Sequence, residues 1–160
     1  MDLHSGLPFW LVKSGLPYNY YSLQQDIKTP VTILGGGISG ALIAYSLVSA
    51  GVDCTVIDAR SIGLGSTVAS TALLQYELDT PLSELKDKVG LDHASRAYHL
   101  CNDSIEQLAG IAKKMAAPDF EKKDSLYFAA QKKDVAFLKE EYSIRKQEGF
   151  DIEYLDQASL

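Results

Sequence analysis

Hydrophobic residues along this chain fall into runs with two different periods. Val31-Thr-Ile-Leu34 is a short β-branched run, and Pro30 precedes it where a strand tolerates proline, which predicts a strand. Apolar positions then take helical spacing over residues 39–50. Leu42, Ile43, Leu47 and Val48 fall on more than one face there, so this helix is expected to be well buried. Gly51 ends it, and residues 52–57 read as a second buried strand. Strand, helix and strand in so short a span predict a βαβ unit with parallel strands and a right-handed crossover.

Further along, Asp79-Thr-Pro81 opens a short helix that ends near Gly90. A longer helix follows over 92–116, with Ala94, Tyr98, Cys101, Ile105, Leu108, Ala112 and Met115 in one apolar stripe, and Pro118 closes it. Residues 125–130 predict a strand, 134–147 an amphipathic helix capped by Gly149, and 151–155 another strand. Asp156-Gln-Ala-Ser-Leu160 resembles the opening of one more element. Ahead of all this, residues 1–29 form an arm with a doublet, Ser5-Gly-Leu-Pro8 and Ser14-Gly-Leu-Pro17, each followed by aromatics: Phe9 and Trp10, then Tyr18, Tyr20 and Tyr21. Each Gly-Leu-Pro reads as a turn or extended piece, and the aromatics are expected to lay the arm over the domain surface.

Candidate chemistry begins where the first strand runs into Gly35-Gly-Gly-Ile-Ser-Gly40, a G-x-G-x-x-G sequence. In this context Gly35 permits a tight turn, and Gly37 lets a pyrophosphate approach the backbone. Gly40, with Ala44 one turn later, lets helix and strand pack closely. Free N–H groups and the positive end of the helix dipole would face the phosphates. Asp58 ends the second strand eighteen residues past Gly40, where a carboxylate can accept hydrogen bonds from both hydroxyls of an adenosine ribose and repel a 2′-phosphate. The loop GLGSTVASTALLQ, residues 63–75, has too many small hydroxyl residues for a packed core and too little charge for a solvated loop. It can add donors to a pyrophosphate already held on one side. These residues predict a dinucleotide site and leave FAD and NAD both open.

Gly35-Gly-Gly-Ile-Ser-Gly40, Val56-Ile-Asp58-Ala-Arg60 and Ile62-Gly-Leu-Gly-Ser-Thr-Val-Ala-Ser-Thr-Ala-Leu-Leu74, continued by Ser125-Leu-Tyr-Phe-Ala129, resemble the N-terminal part of FAD-dependent oxidoreductases of the D-amino-acid oxidase and glycine oxidase superfamily. The resemblance implies FAD as cofactor, with its pyrophosphate on Gly35, Gly36, Gly37, Ile38, Ser39 and Gly40 and its adenosine ribose on Asp58. Ala59 and Arg60 would lie by the adenine end. Gly65, Ser66, Thr67 and Ser70 would line the pyrophosphate and ribityl region, and Thr71, Ala72, Leu73 and Leu74 would pass near the isoalloxazine. The implied fold class is α/β: an incomplete Rossmann-type FAD-binding βαβ unit over 30–80, then the start of an α+β substrate or cap region over 81–160. The implied reaction takes hydride from the nitrogen-bearing carbon of a small-molecule amine or amino acid to flavin N5. Family members often carry glutamate where Asp58 stands. They are also more than twice as long, with C-terminal strands and a second flavin motif, so the chain is expected to be an N-terminal fragment that binds FAD weakly and turns over no substrate alone. No residue here is a convincing catalytic candidate.

Composition narrows the partners. Hydrophobic residues make up 46% and charged ones 22%, a globular balance, and the formal net charge of -6 repels a nucleic-acid backbone. Cys54 and Cys101 lack metal-ligand spacing and read as small hydrophobes, which fits a cytoplasmic setting. His93 and His99 lie six residues apart on different helix faces and His4 stands alone, so no metal site is expected. The hydroxyls of Ser66, Thr67, Ser70 and Thr71 have no histidine base near them in sequence, and the lysines are interspersed with acids as solvated faces. No segment reads as a signal peptide or membrane span. An NAD-dependent dehydrogenase, motivated by the aspartate at position 58, and a nucleotide-binding module without chemistry stay open. Uncovered sheet edges point to self-association.

Overall fold

The computed structural model describes residues 6–15, 18, 20–117 and 119–156. His4, Ser5, Pro17, Pro118 and residues 157–160, on which parts of the arm doublet, the closure of the long helix and the terminal element depend, lie outside them. The chain divides into two compact units, residues 1–73 and 74–160.

In the first unit the arm contains a short helix, α1 (Phe9–Ser14), over a stretch for which no element was expected. Pro8 supplies a fixed φ of -61° at the start and Gly15, at φ 66°, ends it. Then come β1 (Val31–Leu34), α2 (Ile38–Ser49) and β2 (Cys54–Ile57). The strands are parallel and in register from Val31 opposite Cys54 to Leu34 opposite Ile57. A 3₁₀ turn (Ser66–Ala69) follows in the hydroxyl-rich loop.

Burial departs from expectation here. Helix α2 is covered along one face only, with Gly40 buried while Ile43 and Val48 remain 51% and 64% exposed. Strand β2 is half-buried throughout rather than buried. A sheet of two strands presents a single layer to the helix, so apolar residues on the helix's other face stay in water.

The second unit is built from α3 (Leu82–Val89), α4 (Leu91–Lys114) and α5 (Val135–Gln147), with Gly90 as the joint between the first two. Along the predicted stripe of α4, Ala94 and Tyr98 are buried, Cys101, Ile105, Leu108 and Ala112 are half-buried, and Met115 is exposed. The core gathers Leu82, Ala94, Tyr98, Ile144 and Phe150, with Tyr76, Leu85 and Ile152 against it. Tyr76 stacks on Phe150 at 5.3 Å between ring centroids, and His99 stacks on the same ring at 4.3 Å. Gly149, at φ 87°, ends α5 as expected.

The strands predicted over 125–130 and 151–155 do not form. A strand needs a neighbour for its N–H and C=O groups. Among the described residues the sheet consists of β1 and β2 alone, so residues 125–130 run as irregular chain with Leu126, Tyr127 and Phe128 exposed.

One carboxylate ties the second unit together. Glu141 of α5, 2% exposed, accepts hydrogen bonds from the Leu82 N–H (2.9 Å) and the Ser83 N–H (2.8 Å), the first amides of α3. Its Oε1 also accepts from Arg145 Nε at 2.6 Å. Burial alone would raise its pKa, but hydrogen bonding from Ser83, Arg145 and Leu82 outweighs that and holds the carboxyl below the usual range. A depressed folded pKa means stability that is present above the unfolded value, about 4.3, and lost as pH falls through the folded one. The helical signal should therefore decay on acidification below about pH 4.3, less steeply in Glu141→Gln. At neutral pH, Glu141→Ala should cost about 3 kcal/mol in urea unfolding, because Arg145 is left buried with one partner removed.

Candidate functional site

The candidate site lies at the C-terminal ends of β1 and β2, where the ladder continues one residue through the Gly35 N–H donating to the Ile57 carbonyl at 2.7 Å. Gly35 turns the chain at φ 106°, a conformation open to glycine and costly for other residues. The turn brings the first turn of α2 so close that a Cβ on Gly40 would collide with the Gly35 carbonyl oxygen. Gly37 sits at the N-cap of α2 and offers no side chain to the orphan amides of the first turn.

Two other segments close on this turn. The Asp58 carboxylate, half-buried at the end of β2, accepts from the Gly36 N–H at 2.7 Å through Oδ2 and from the Arg60 N–H at 2.8 Å through Oδ1. Those two amides hold its carboxyl below the ordinary carboxylate range, so it is ionised near neutrality. A carboxylate has about four acceptor positions, which leaves room for ribose hydroxyls beside the two backbone bonds. The Gly63 N–H donates to the Gly36 carbonyl at 3.0 Å, and Thr67 Oγ1 accepts from the Ile38 N–H at 3.0 Å. Thr67 thus caps α2 from another loop, 29 residues away in sequence.

The remaining predicted residues divide into two groups. Ile38 and Ser39 are exposed in the first turn of α2, Ala59 and Arg60 are exposed just past Asp58, and a Cβ on Gly65 would lie 3.2 Å from Arg60 Nη2. Ser66 opens the 3₁₀ turn. Ser70 is turned to its own loop, where its Oγ accepts from the Ala72 N–H at 3.1 Å and its carbonyl accepts from Trp10 Nε1 at 2.8 Å. Thr71, Ala72, at φ 57°, and Leu73 are exposed beyond it. The structure therefore gathers the glycine turn, Asp58, Gly63 and Thr67 by direct bonds, and leaves Thr71, Ala72 and Leu73 as an outer edge of the loop. Glycine at the crowded turn, uncommitted amides of the helix's first turn and an ionised carboxylate across from them suit the phosphates and ribose of a dinucleotide.

Sequence reasoning missed the Glu77, Glu141 and Arg145 group in the second unit. Arg145 Nη1 donates to Glu77 Oε1 and to the Tyr76 hydroxyl, both at 3.2 Å, and the guanidinium lies over the Tyr76 and Tyr98 rings. The available signal was Glu141 and Arg145 four apart, on the face of α5 that also carries Ile144. His93 and His99 contact separate backbone carbonyls: His99 Nε2 is 2.8 Å from that of Glu148, and His93 Nδ1 is 3.2 Å from that of Val89. Among the described residues no three His, Cys, Asp or Glu side chains gather as a metal site, and no helix is long and apolar enough to cross a membrane.

The family model for FAD dependent oxidoreductases matches residues 30–160, and the chain belongs to that family. It is also similar to a Bacillus subtilis (strain 168) protein that carries the name of a Rieske 2Fe-2S iron-sulfur protein, YhfW, at 33% identity over 103 residues. The aligned part covers 64% of this chain and 20% of that protein, so the chain spans about a fifth of the relative's length. No solved structure matches the chain.

The cross-loop cap is directly testable. Thr67→Val keeps the shape and removes the acceptor, and should cost about 1 kcal/mol. Amide exchange at Ile38 should accelerate, while exchange in α4 stays unchanged.

Proposed function

We propose that this chain provides the FAD-binding part of an oxidoreductase that oxidises an amine or amino acid. The supporting observation is the meeting of the glycine turn with Asp58 through the Gly36 N–H at 2.7 Å, within a family whose members are FAD dependent. On this reading β1, α2 and β2 form a Rossmann-type unit, and residues 81–160 begin the substrate or cap region.

The amides of Gly37, Ile38, Ser39 and Gly40 would face the pyrophosphate, with the helix dipole favouring its negative charge. Asp58 would hold the adenosine ribose, and its ionised state would repel a phosphorylated ribose. Thr67 would exchange or share its bond to the Ile38 N–H when a phosphate oxygen arrives. Ser66 and Ser70 would add hydroxyls along the ribityl side, and Thr71, Ala72 and Leu73 would border the ring. Bound FAD supplies the hydride acceptor for the reaction. Cys54 and Cys101 are both free thiols, in keeping with a cytoplasmic setting.

The relative named for a Rieske centre favours one further reading, of the electron acceptor. An iron-sulfur centre in the longer protein would accept electrons from the reduced flavin. Iron, labile sulfide and a Rieske-type paramagnetic signal in the full-length protein would check it, and their absence points to another acceptor.

The test of the flavin assignment is the cofactor content of the full-length protein. It should purify yellow, release FAD on denaturation and oxidise a primary or secondary amine. A Cβ at position 65 meets only the flexible end of Arg60, and Gly65→Trp, its fold checked by a thermal melt, should bind FAD at least about tenfold more weakly. Unchanged flavin content in that variant, or tight NADH binding without flavin, overturns the proposal.

A further inference from the structure

The arm, residues 1–29, lies ahead of the stretch that the chain shares with its family, residues 30–160. Its helix α1 nevertheless packs against the 3₁₀ turn Ser66–Ala69 of the hydroxyl-rich loop. Trp10 makes the polar part of that contact, with Nε1 donating to the Ser70 carbonyl at 2.8 Å. The indole is half-buried, and its own helix steadies it: Phe9 stands edge-on at 5.0 Å between ring centroids, and the Lys13 ammonium lies 5.7 Å from the ring centre.

Two residues past this attachment the backbone is strained. Ala72 has φ 57°, in the left-handed region that a Cβ disfavours. Thr71, Ala72 and Leu73 are all exposed, so side-chain packing does not impose the bend. Hydrogen bonds hold it instead: the Ala72 N–H donates to Ser70 Oγ at 3.1 Å, and the indole fixes the carbonyl of the same Ser70. A strained conformation persists where its surroundings over-determine it, and Trp10 supplies a hold on this bend from outside the loop.

We propose that the arm is a strap and that Trp10 is a positioning residue for the flavin. By fixing the Ser70 carbonyl it keeps Ala72 in its bend, and the loop edge of Thr71, Ala72 and Leu73 is preset for the ring half of the cofactor. This role rests on the flavin reading of the loop. A loop ordered in advance loses less conformational freedom when ligand binds, which strengthens binding without any contact between Trp10 and the ligand. The adenosine half is served by the glycine turn and Asp58, which the strap does not touch. Its effect therefore falls on one half of FAD only.

Trp10→Phe keeps an aromatic ring and removes the N–H. In the full-length protein, stripped of flavin and with its fold checked by a thermal melt, this variant should bind FAD at least about threefold more weakly. ADP, which lacks the flavin, should bind as it does to the parent. Deleting the arm through Gly15 should give the same split between FAD and ADP. Adding Ala72→Gly to Trp10→Phe should restore the parent's FAD affinity, because glycine takes a positive φ without steric cost and no longer needs the strap. With no flavin present, exchange of the Ala72 amide should accelerate in Trp10→Phe. A parent protein that binds no FAD overturns the flavin reading and the strap with it. Where the parent binds FAD, full FAD affinity in Trp10→Phe, equal losses for FAD and ADP, no recovery with Ala72→Gly, or unchanged exchange at Ala72 each overturns the strap alone.

Discussion

The first unit depends on a single close approach, between the start of α2 and the carbonyl of Gly35. Position 40 has no space for even a methyl group, because the missing Cβ would sit on that oxygen. With the helix pressed this near to the end of β1, its first amides emerge at the sheet's C-terminal edge. Asp58, one residue past β2, then reaches the Gly36 N–H, and the loop carrying Gly63 and Thr67 closes from another side. Parallel strands place both of their carboxyl ends at the same edge, so one turn and one acid suffice to define the site.

Both units start a key helix with a borrowed cap. Neither Gly37 before α2 nor Pro81 before α3 contributes a side-chain cap of its own. In each case the acceptor comes from far along the chain: the Thr67 hydroxyl for α2 and the Glu141 carboxylate for α3. Such an arrangement makes helix initiation conditional on tertiary structure, because an isolated helix would begin with unsatisfied amides. It also explains how Glu141 tolerates burial. Helix-start amides and a guanidinium surround the charge and replace its water.

What could be read from sequence follows from the range of the interactions. Val31-Thr-Ile-Leu34, the three glycines and Asp58 form a local pattern with fixed spacing, and the elements stand where that pattern puts them. The amphipathic helices α4 and α5 were legible for the same reason. Ser125-Leu-Tyr-Phe-Ala129 also has local strand character, yet strand formation requires a partner, and propensity is silent about partners. The depth of α2 was overestimated because Ile43 and Val48 are apolar, while burial depends on what covers them. The family resemblance assigned Thr67 to the pyrophosphate and ribityl region, while its bond to Ile38 joins residues too far apart for any spacing rule. The burial of Glu141 and Arg145 has no local signature, since their partners Leu82, Ser83 and Glu77 lie on distant parts of the chain.

The contact between the arm and the hydroxyl-rich loop has an optical consequence. Trp10 is the chain's one tryptophan, and its indole N–H is bonded to the Ser70 carbonyl. Indole emission responds to hydrogen bonding and polarity around that nitrogen. The protein therefore carries an intrinsic fluorophore anchored to the loop that closes on the glycine turn, with no second tryptophan to blur its signal. Rearrangement of that loop registers as a change in colour and intensity of one identifiable side chain.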